Sequence, residues 1–185
     1  MALRDVLQFP DARLKRRSEE IVDISGAIRE LAADMTDVMY DEPGIGLAAP
    51  QVGEAVRLIV LDTEWTEEGT ERAPRVVVNP VIVHREGQVV WNEGCLSVPD
   101  FQAEVERSQR VVVRGLDLEG RPYEEDAEDL RAVCFQHEID HLDGILFIDR
   151  ISRLKRSLYV KKRKKALREE DEEGAGARAG SGTPL

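Results

Sequence analysis

At 185 residues, with 42% hydrophobic and 34% charged side chains, the chain has the size and balance of one globular domain, neither disordered nor membrane-embedded. No apolar run nears the roughly 18 residues of a membrane helix, the Met1-Ala-Leu-Arg-Asp5 start is too polar for a secretory signal, and two cysteines make no disulfide framework, so a cytoplasmic location is expected. Charge is uneven within a net of −11: residues 1–149 hold 32 acids against 15 Lys/Arg, residues 150–168 hold ten Lys/Arg and no acid, and residues 169–173 are all acidic.

Ser25 to Tyr40 reads as an amphipathic helix with Ile28, Leu31, Ala32, Met35, Val38 and Met39 on one face, and Asp23 or Ser25 as its cap. Pro43 to Gln51, Gly-rich, interrupts that period and reads as irregular. Valine-rich strands are predicted over 56–62, 75–83, 88–91 and 110–118, with a polar loop over 63–74 and a hairpin turn over 118–122. A second helix from about Asp126 carries Leu130, Val133, Cys134, His137 and His141, with Gly144 as its stop. A third helix is predicted over 152–173, its first turns carrying an apolar face of Ile151, Leu154 and Leu158 fit to dock. Residues 174–185, rich in Gly and Ala, read as a disordered tail.

Strands followed by helices predict an α+β fold: mainly antiparallel strands packed around a central metal-binding helix, with an N-terminal and a C-terminal helix. One catalytic domain over 1–173 is expected.

His137-Glu-Ile-Asp-His141 is an H-E-x-x-H sequence. On a helix, residues four apart lie about 40° apart in angle and about 6 Å apart along the axis, so two imidazoles can meet one ion. Glu138 then stands beside the water on that ion. A hydrolytic site of this kind needs a third protein ligand. No histidine follows His141; Asp143 and Asp149 are too close in sequence, and the acidic run 169–173 reads as solvated. Cys134 lies about 10 Å of axial rise from His141, too far for a short thiol. His84 sits at a polar strand end. Cys95, in Glu93-Gly-Cys-Leu-Ser97, is the remaining candidate ligand; a buried structural cysteine is the alternative.

Three segments in order carry a resemblance to the peptide deformylases: Gly44-Ile-Gly-Leu-Ala-Ala-Pro-Gln51, Glu93-Gly-Cys-Leu-Ser97 and Gln136-His-Glu-Ile-Asp-His-Leu142. Phe9-Pro-Asp-Ala-Arg-Leu14 resembles the family's amino-terminal segment, and the likeness spans about residues 3 to 160. It implies a hydrolase that removes the formyl group from the formyl-methionine of nascent chains and releases formate. It further implies Cys95, His137 and His141 as ligands of one divalent ion, commonly Fe2+, with Ni2+, Co2+ or Zn2+ also able to serve. Glu138 becomes the general base and acid, and the Gln51 amide and Leu96 backbone N–H the oxyanion donors.

By the same resemblance Gly44 and Gly46 keep the backbone bare for a peptide strand. Ile45, Trp91, Leu130, Val133 and Cys134 match the methionine pocket; the last three also share the helix face of His137. Gln102 departs from the family, many of whose bacterial members carry a basic residue there. The competing readings are a downstream-carboxylate endopeptidase, a closed structural metal site and a deformylase fold without activity. Lys161-Lys-Arg-Lys-Lys165 reads either as a solvated helix end or as a contact with ribosomal RNA. A monomer acting on nascent chains, with no membrane partner, is expected.

Overall fold

The computed structural model describes residues 4–66 and 69–179, the side chains of 171 and 173–179 excepted. It divides into two compact units, Met1–Arg150 and Ile151–Leu185.

In the first unit the elements are α1 (Gly26–Asp41), β1 (Gly46–Ala48), β2 (Leu58–Leu61), β3 (Arg75–Glu86), β4 (Val89–Cys95), β5 (Val98–Arg107), β6 (Arg110–Leu116), β7 (Pro122–Glu128) and α2 (Asp129–Leu142). Short 3-10 turns occupy Ala12–Lys15, Ala49–Val52 and Phe147–Asp149. One sheet has the order β1-β2-β3-β6-β7 and a second pairs β4 with β5; every strand pair is antiparallel. The fold is α+β.

β2 explains how the layers are built. Its four residues are all buried because the sheet is covered on both faces there. Side chains alternate along a strand. Leu58 and Val60 join Leu31, Met35, Val38 and Met39 of α1 in one core. Ile59 and Leu61 join Ala132, Phe135, Ile139 and Leu142 of α2 in the other. The sheet therefore lies between the two helices, and α2 is sealed against its inner face.

Three strands went unrecognised in the sequence. β1 is only three residues long, inside the Gly-rich stretch. β5 and β7 are dense in charge: β7 reads Pro-Tyr-Glu-Glu-Asp-Ala-Glu, yet its acids face arginines of β6, with Arg110 on Asp126 and Arg114 on Glu124. That pairing also draws Asp126 to Glu128 into the sheet, so α2 starts at Asp129 rather than Asp126. Gly144 ends α2 as expected. It takes φ +73°, and a Cβ there would lie 2.5 Å from the Lys15 carbonyl oxygen.

In the second unit α3 runs Arg153–Ala179. It continues past Glu173 as far as Ala179, over part of the segment expected from the sequence to be a disordered tail; residues 180–185 lie outside the described residues. Leu154 and Leu158 are 70% and 61% exposed, and Tyr159 is buried. Lys165 pairs with Glu169 at 3.4 Å and Arg163 with Glu170 at 3.6 Å along the helix.

Candidate active site

From Ala132 to Leu142 every residue of α2 is buried, although Gln136, His137, Glu138, Asp140 and His141 are polar. Burial of such groups is unfavourable unless each finds a partner. Gln136 donates to the Ser108 and Ala132 carbonyl oxygens and accepts from Ser108 N–H and Arg85. Asp140 accepts from Arg107 and Arg150. His137 and His141 face each other and a strand.

That strand is β4. Its last residue, Cys95, follows a register shift against β5 after Glu93, which turns the thiol toward α2. Cys95 Sγ lies 3.3 Å from His141 Nε2, and His141 Nε2 lies 3.2 Å from His137 Nε2. Among the described residues this is the one group of three such donors within 4.8 Å of one another. One tetrahedral ion with ordinary Zn–N and Zn–S bonds would set its donors about 3.4–3.6 Å apart, so these spans fit a shared ion.

His137 Nδ1 meets Glu93 Oε2 at 2.8 Å, which leaves Nε2 free to face the other donors. Arg107 in turn holds Glu93 through two bonds of 2.6 and 2.9 Å. Burial alone would raise the Glu93 carboxyl, but Arg107 and His137 outweigh it and hold it at about 2. Burial, the charge on His137 and nearby cations keep His141 well below its ordinary value.

Glu138 is 4% exposed, and its Oε2 has no hydrogen-bond partner among the described residues. Burial pushes its carboxyl up to about 7, with His137 pulling down and Glu93 pushing up. An orphaned buried acid with a raised carboxyl, beside three side chains that could hold a metal, marks a candidate reacting centre. Gly46 makes room for it: a Cβ there would lie 2.5 Å from Glu138 Oε1 and 2.8 Å from Cys134 Sγ. Gln51 accepts from Ala48 N–H at 2.8 Å and donates to Ser97 Oγ at 3.2 Å and toward Cys95 Sγ at 3.6 Å. Its carbonyl side is anchored, and its NH2 is aimed at the donors.

These groups open on a cavity of about 840 Å3. Of the residues named from the sequence, Gly44, Ile45, Gly46, Gln51, Trp91, Cys95, Leu96, Leu130, Val133, Cys134, His137 and Glu138 all line it; His141, 1% exposed, does not. Cys134 belongs to its wall and donates toward the Ile45 carbonyl at 3.5 Å, while burial keeps its thiol far above its ordinary value. His84 is exposed and lies 3.8 Å from Glu86, outside the donor group. Gln102 also lines the cavity, and its Oε1 accepts from Asn92 at 2.9 Å.

Sequence reasoning missed Glu93, Arg107 and Asp140 as parts of the site. Glu93 was visible as the acid two residues before Cys95; nothing local marked Arg107, 14 residues from Glu93 and 33 from Asp140.

The model of the family described as polypeptide deformylase matches residues 3–157. A peptide deformylase of Afipia carboxidovorans is 52% identical over 91% of this chain and 98% of that protein. One from Alkalilimnicola ehrlichii is 50% identical over 91% and 93%. Among solved structures, a peptide deformylase from Legionella pneumophila superposes with a TM-score of 0.84 at 42% identity, covering 92% of this chain and 98% of that one. A peptide deformylase from Ehrlichia chaffeensis, in complex with actinonin, superposes at 0.83 with 38% identity over 90% and 98%.

Proposed function

This chain belongs to the peptide deformylase family, and we propose that Cys95, His137 and His141 hold its divalent metal while Glu138 moves the proton. The reaction is hydrolysis of the N-formyl group of a nascent peptide, with release of formate. When bound, the ion supplies Lewis acidity that makes water nucleophilic at neutral pH. The observation that carries the assignment is the donor group of Cys95, His137 and His141, two of whose members line one cavity with the orphaned Glu138 carboxyl.

Each other residue has a task set by its position. Glu138 takes a proton from the attacking water and returns it to the amine that leaves. Gln51 Nε2 and the Leu96 backbone N–H donate to the oxyanion formed on the formyl oxygen, a contribution of about 3 kcal/mol per donor. Ile45, Trp91, Leu130, Val133 and Cys134 form the slot for the methionine side chain. β1 lies at the edge of its sheet, so a peptide can add beside Gly44 to Gly46 as a further strand.

We assign Fe2+ as the native ion, with Ni2+, Co2+ or Zn2+ able to replace it, since a thiolate and two imidazoles suit all four. The enzyme acts as a cytoplasmic monomer. Among the described residues no helix is long and apolar enough to cross a membrane. Lys161 to Lys165 of α3, whose four lysines are exposed, contacts ribosomal RNA where formylated chains emerge.

Anaerobic purification, metal analysis and formate release from formyl-Met and acetyl-Met peptides test the reading together. One iron per chain, with formate from the formyl peptide alone, is expected. Turnover without bound metal, or equal cleavage of both peptides, would overturn it.

A further inference from the structure

Behind the donor residues lies a cluster of four charges, three of them buried. Arg107 and Glu93 have side chains only 2% and 3% exposed, and Asp140 only 10%. Arg107 spends Nε and one NH2 on Glu93 and its other NH2 on Asp140, at 2.5 Å. Glu93 then accepts from His137 Nδ1. Both oxygens of Asp140 are also held by Arg150, Nε on Oδ2 and one NH2 on Oδ1, each at 2.5 Å. Two carboxylates here face two guanidiniums, and Arg85, which donates to Gln136, is a further cation close enough to act on Asp140.

Arg150 differs from the other three. Its side chain is 38% exposed, it is the last residue of the first unit, and it follows the short turn Phe147–Asp149. The same turn sets Phe147 against the His137 ring, with centroids 6.2 Å apart and planes 26° apart. It is itself tied down, since Leu146 N–H donates to Asp149 and Lys15 pairs with Asp149.

We propose that Arg150 is a positioning residue for the metal donors. By satisfying Asp140 from the outer side it leaves Arg107 committed to Glu93, and Glu93 keeps the His137 ring turned with Nε2 inward. Without Arg150, Asp140 loses its two-pronged partner in a poorly solvated place and is left to Arg107 and the more distant Arg85. Arg107 is then drawn between two carboxylates, its fork on Glu93 loosens, and the His137 ring gains freedom. Outer partners of this kind typically change metal affinity by about 10–100-fold when removed. The proposal rests on Cys95, His137 and His141 being the ligands.

The experiment uses the full-length protein loaded with Co2+, whose thiolate charge-transfer absorption reports the Cys95 bond and whose loss to a chelator gives the dissociation rate. Arg150→Gln should release Co2+ about 10-fold or more faster than the parent and alter the visible Co2+ spectrum. Arg150→Lys keeps the charge but not the two-pronged contact, and should fall between them. Asp140→Asn/Arg150→Gln restores the charge balance and should release Co2+ more slowly than Arg150→Gln alone. A merely structural residue would change thermal stability of the metal-free protein and leave spectrum and dissociation rate alone. Parental rates and spectra in Arg150→Gln and Arg150→Lys would overturn the proposal while leaving the ligand set intact. A parent without the charge-transfer band, or Cys95→Ala that keeps it, would overturn the ligand set instead.

Discussion

α2 and α3 are both crowded with charged and polar residues, yet one is sealed inside the molecule and the other stands mostly in water. In α2, Gln136, His137, Glu138, Asp140 and His141 are all buried, and all but Glu138 and one nitrogen of His141 have their side-chain polar atoms met. In α3, Lys161, Lys162, Lys164 and Lys165 are exposed, and the ion pairs of the helix are local. The number of charges on a helix therefore says little about its burial. What decides is whether other elements bring opposite charges and hydrogen-bonding groups to it, and α2 receives Arg107 and Glu93 from the strand pair behind it. Unmet valence in α2 falls on Glu138 Oε2 and on the His141 nitrogen that does not face the donors, and the first of these lies where chemistry is expected.

The comparison breaks most visibly at Glu138. Glu138→Gln keeps the size and the three donors but removes the proton carrier. Metal content should stay at one per chain while turnover falls by about 10²–10⁴. Loss of metal together with activity would move Glu138 from a catalytic to a structural role.

Glu93 tests the cost of burying charge beside the donors. Its carboxyl titrates at about 2 in the folded protein against an ordinary value of 4.5, because Arg107 and His137 outweigh the effect of burial. A carboxyl lowered on folding contributes stability that is complete above pH 4.5 and is lost as pH falls through about 2. Metal-free Glu93→Gln should thus be less stable than the parent at pH 7, on the order of 3 kcal/mol for a broken buried pair. Chemical denaturation at descending pH should show the gap narrowing from about pH 4.5 down toward pH 2. A gap that widens on acidification would contradict the ion-pair account.

A smaller loss is expected from Gly46→Ala, where the new methyl meets Glu138 Oε1 and the Cys134 thiol, both side chains rather than backbone. Both are buried, so each must give and some stability is lost, while the three donors should keep the metal. Displacing the base by about 1 Å should still lower turnover by up to about 10²-fold. Parental turnover would show that the carboxylate has another productive position.

Periodicity and motif carried the sequence reading a long way. The 3.6-residue period placed α1 within one residue at each end, and H-E-x-x-H picked out two histidines that fall in one candidate donor group because spacing on a helix translates directly into geometry. Cys95 was reached by removing rivals and by the resemblance of its motif, since it meets α2 only through tertiary packing. β5 and β7 hid behind charges that are satisfied across strands, at a distance no local window sees. The Arg107 cluster was illegible for the same reason: its members come from β4, β5 and α2, and only the folded sheet brings them together.

The smallest effect on catalysis should come from the most heavily charged segment of the chain. Replacing Lys161 to Lys165 by Glu alters the net charge by −10, since five cations become five anions. Every residue assigned a part in the reaction lies in the first unit, which ends at Arg150. Charges on a solvated helix are screened within about 8–10 Å at physiological salt, so hydrolysis of a short formyl-Met peptide should stay within about twofold of the parent. Ribosome association should behave in the opposite way. An acidic first unit offers RNA no net attraction, so binding should depend on the helix and weaken steeply as salt rises. Sedimentation with ribosomes across a salt series measures this directly. Equal, salt-insensitive binding by parent and variant would show that the lysines are merely solvated. A matching fall in short-peptide turnover would instead tie α3 to the catalytic unit, and the contrast between the two helices would lose its functional meaning.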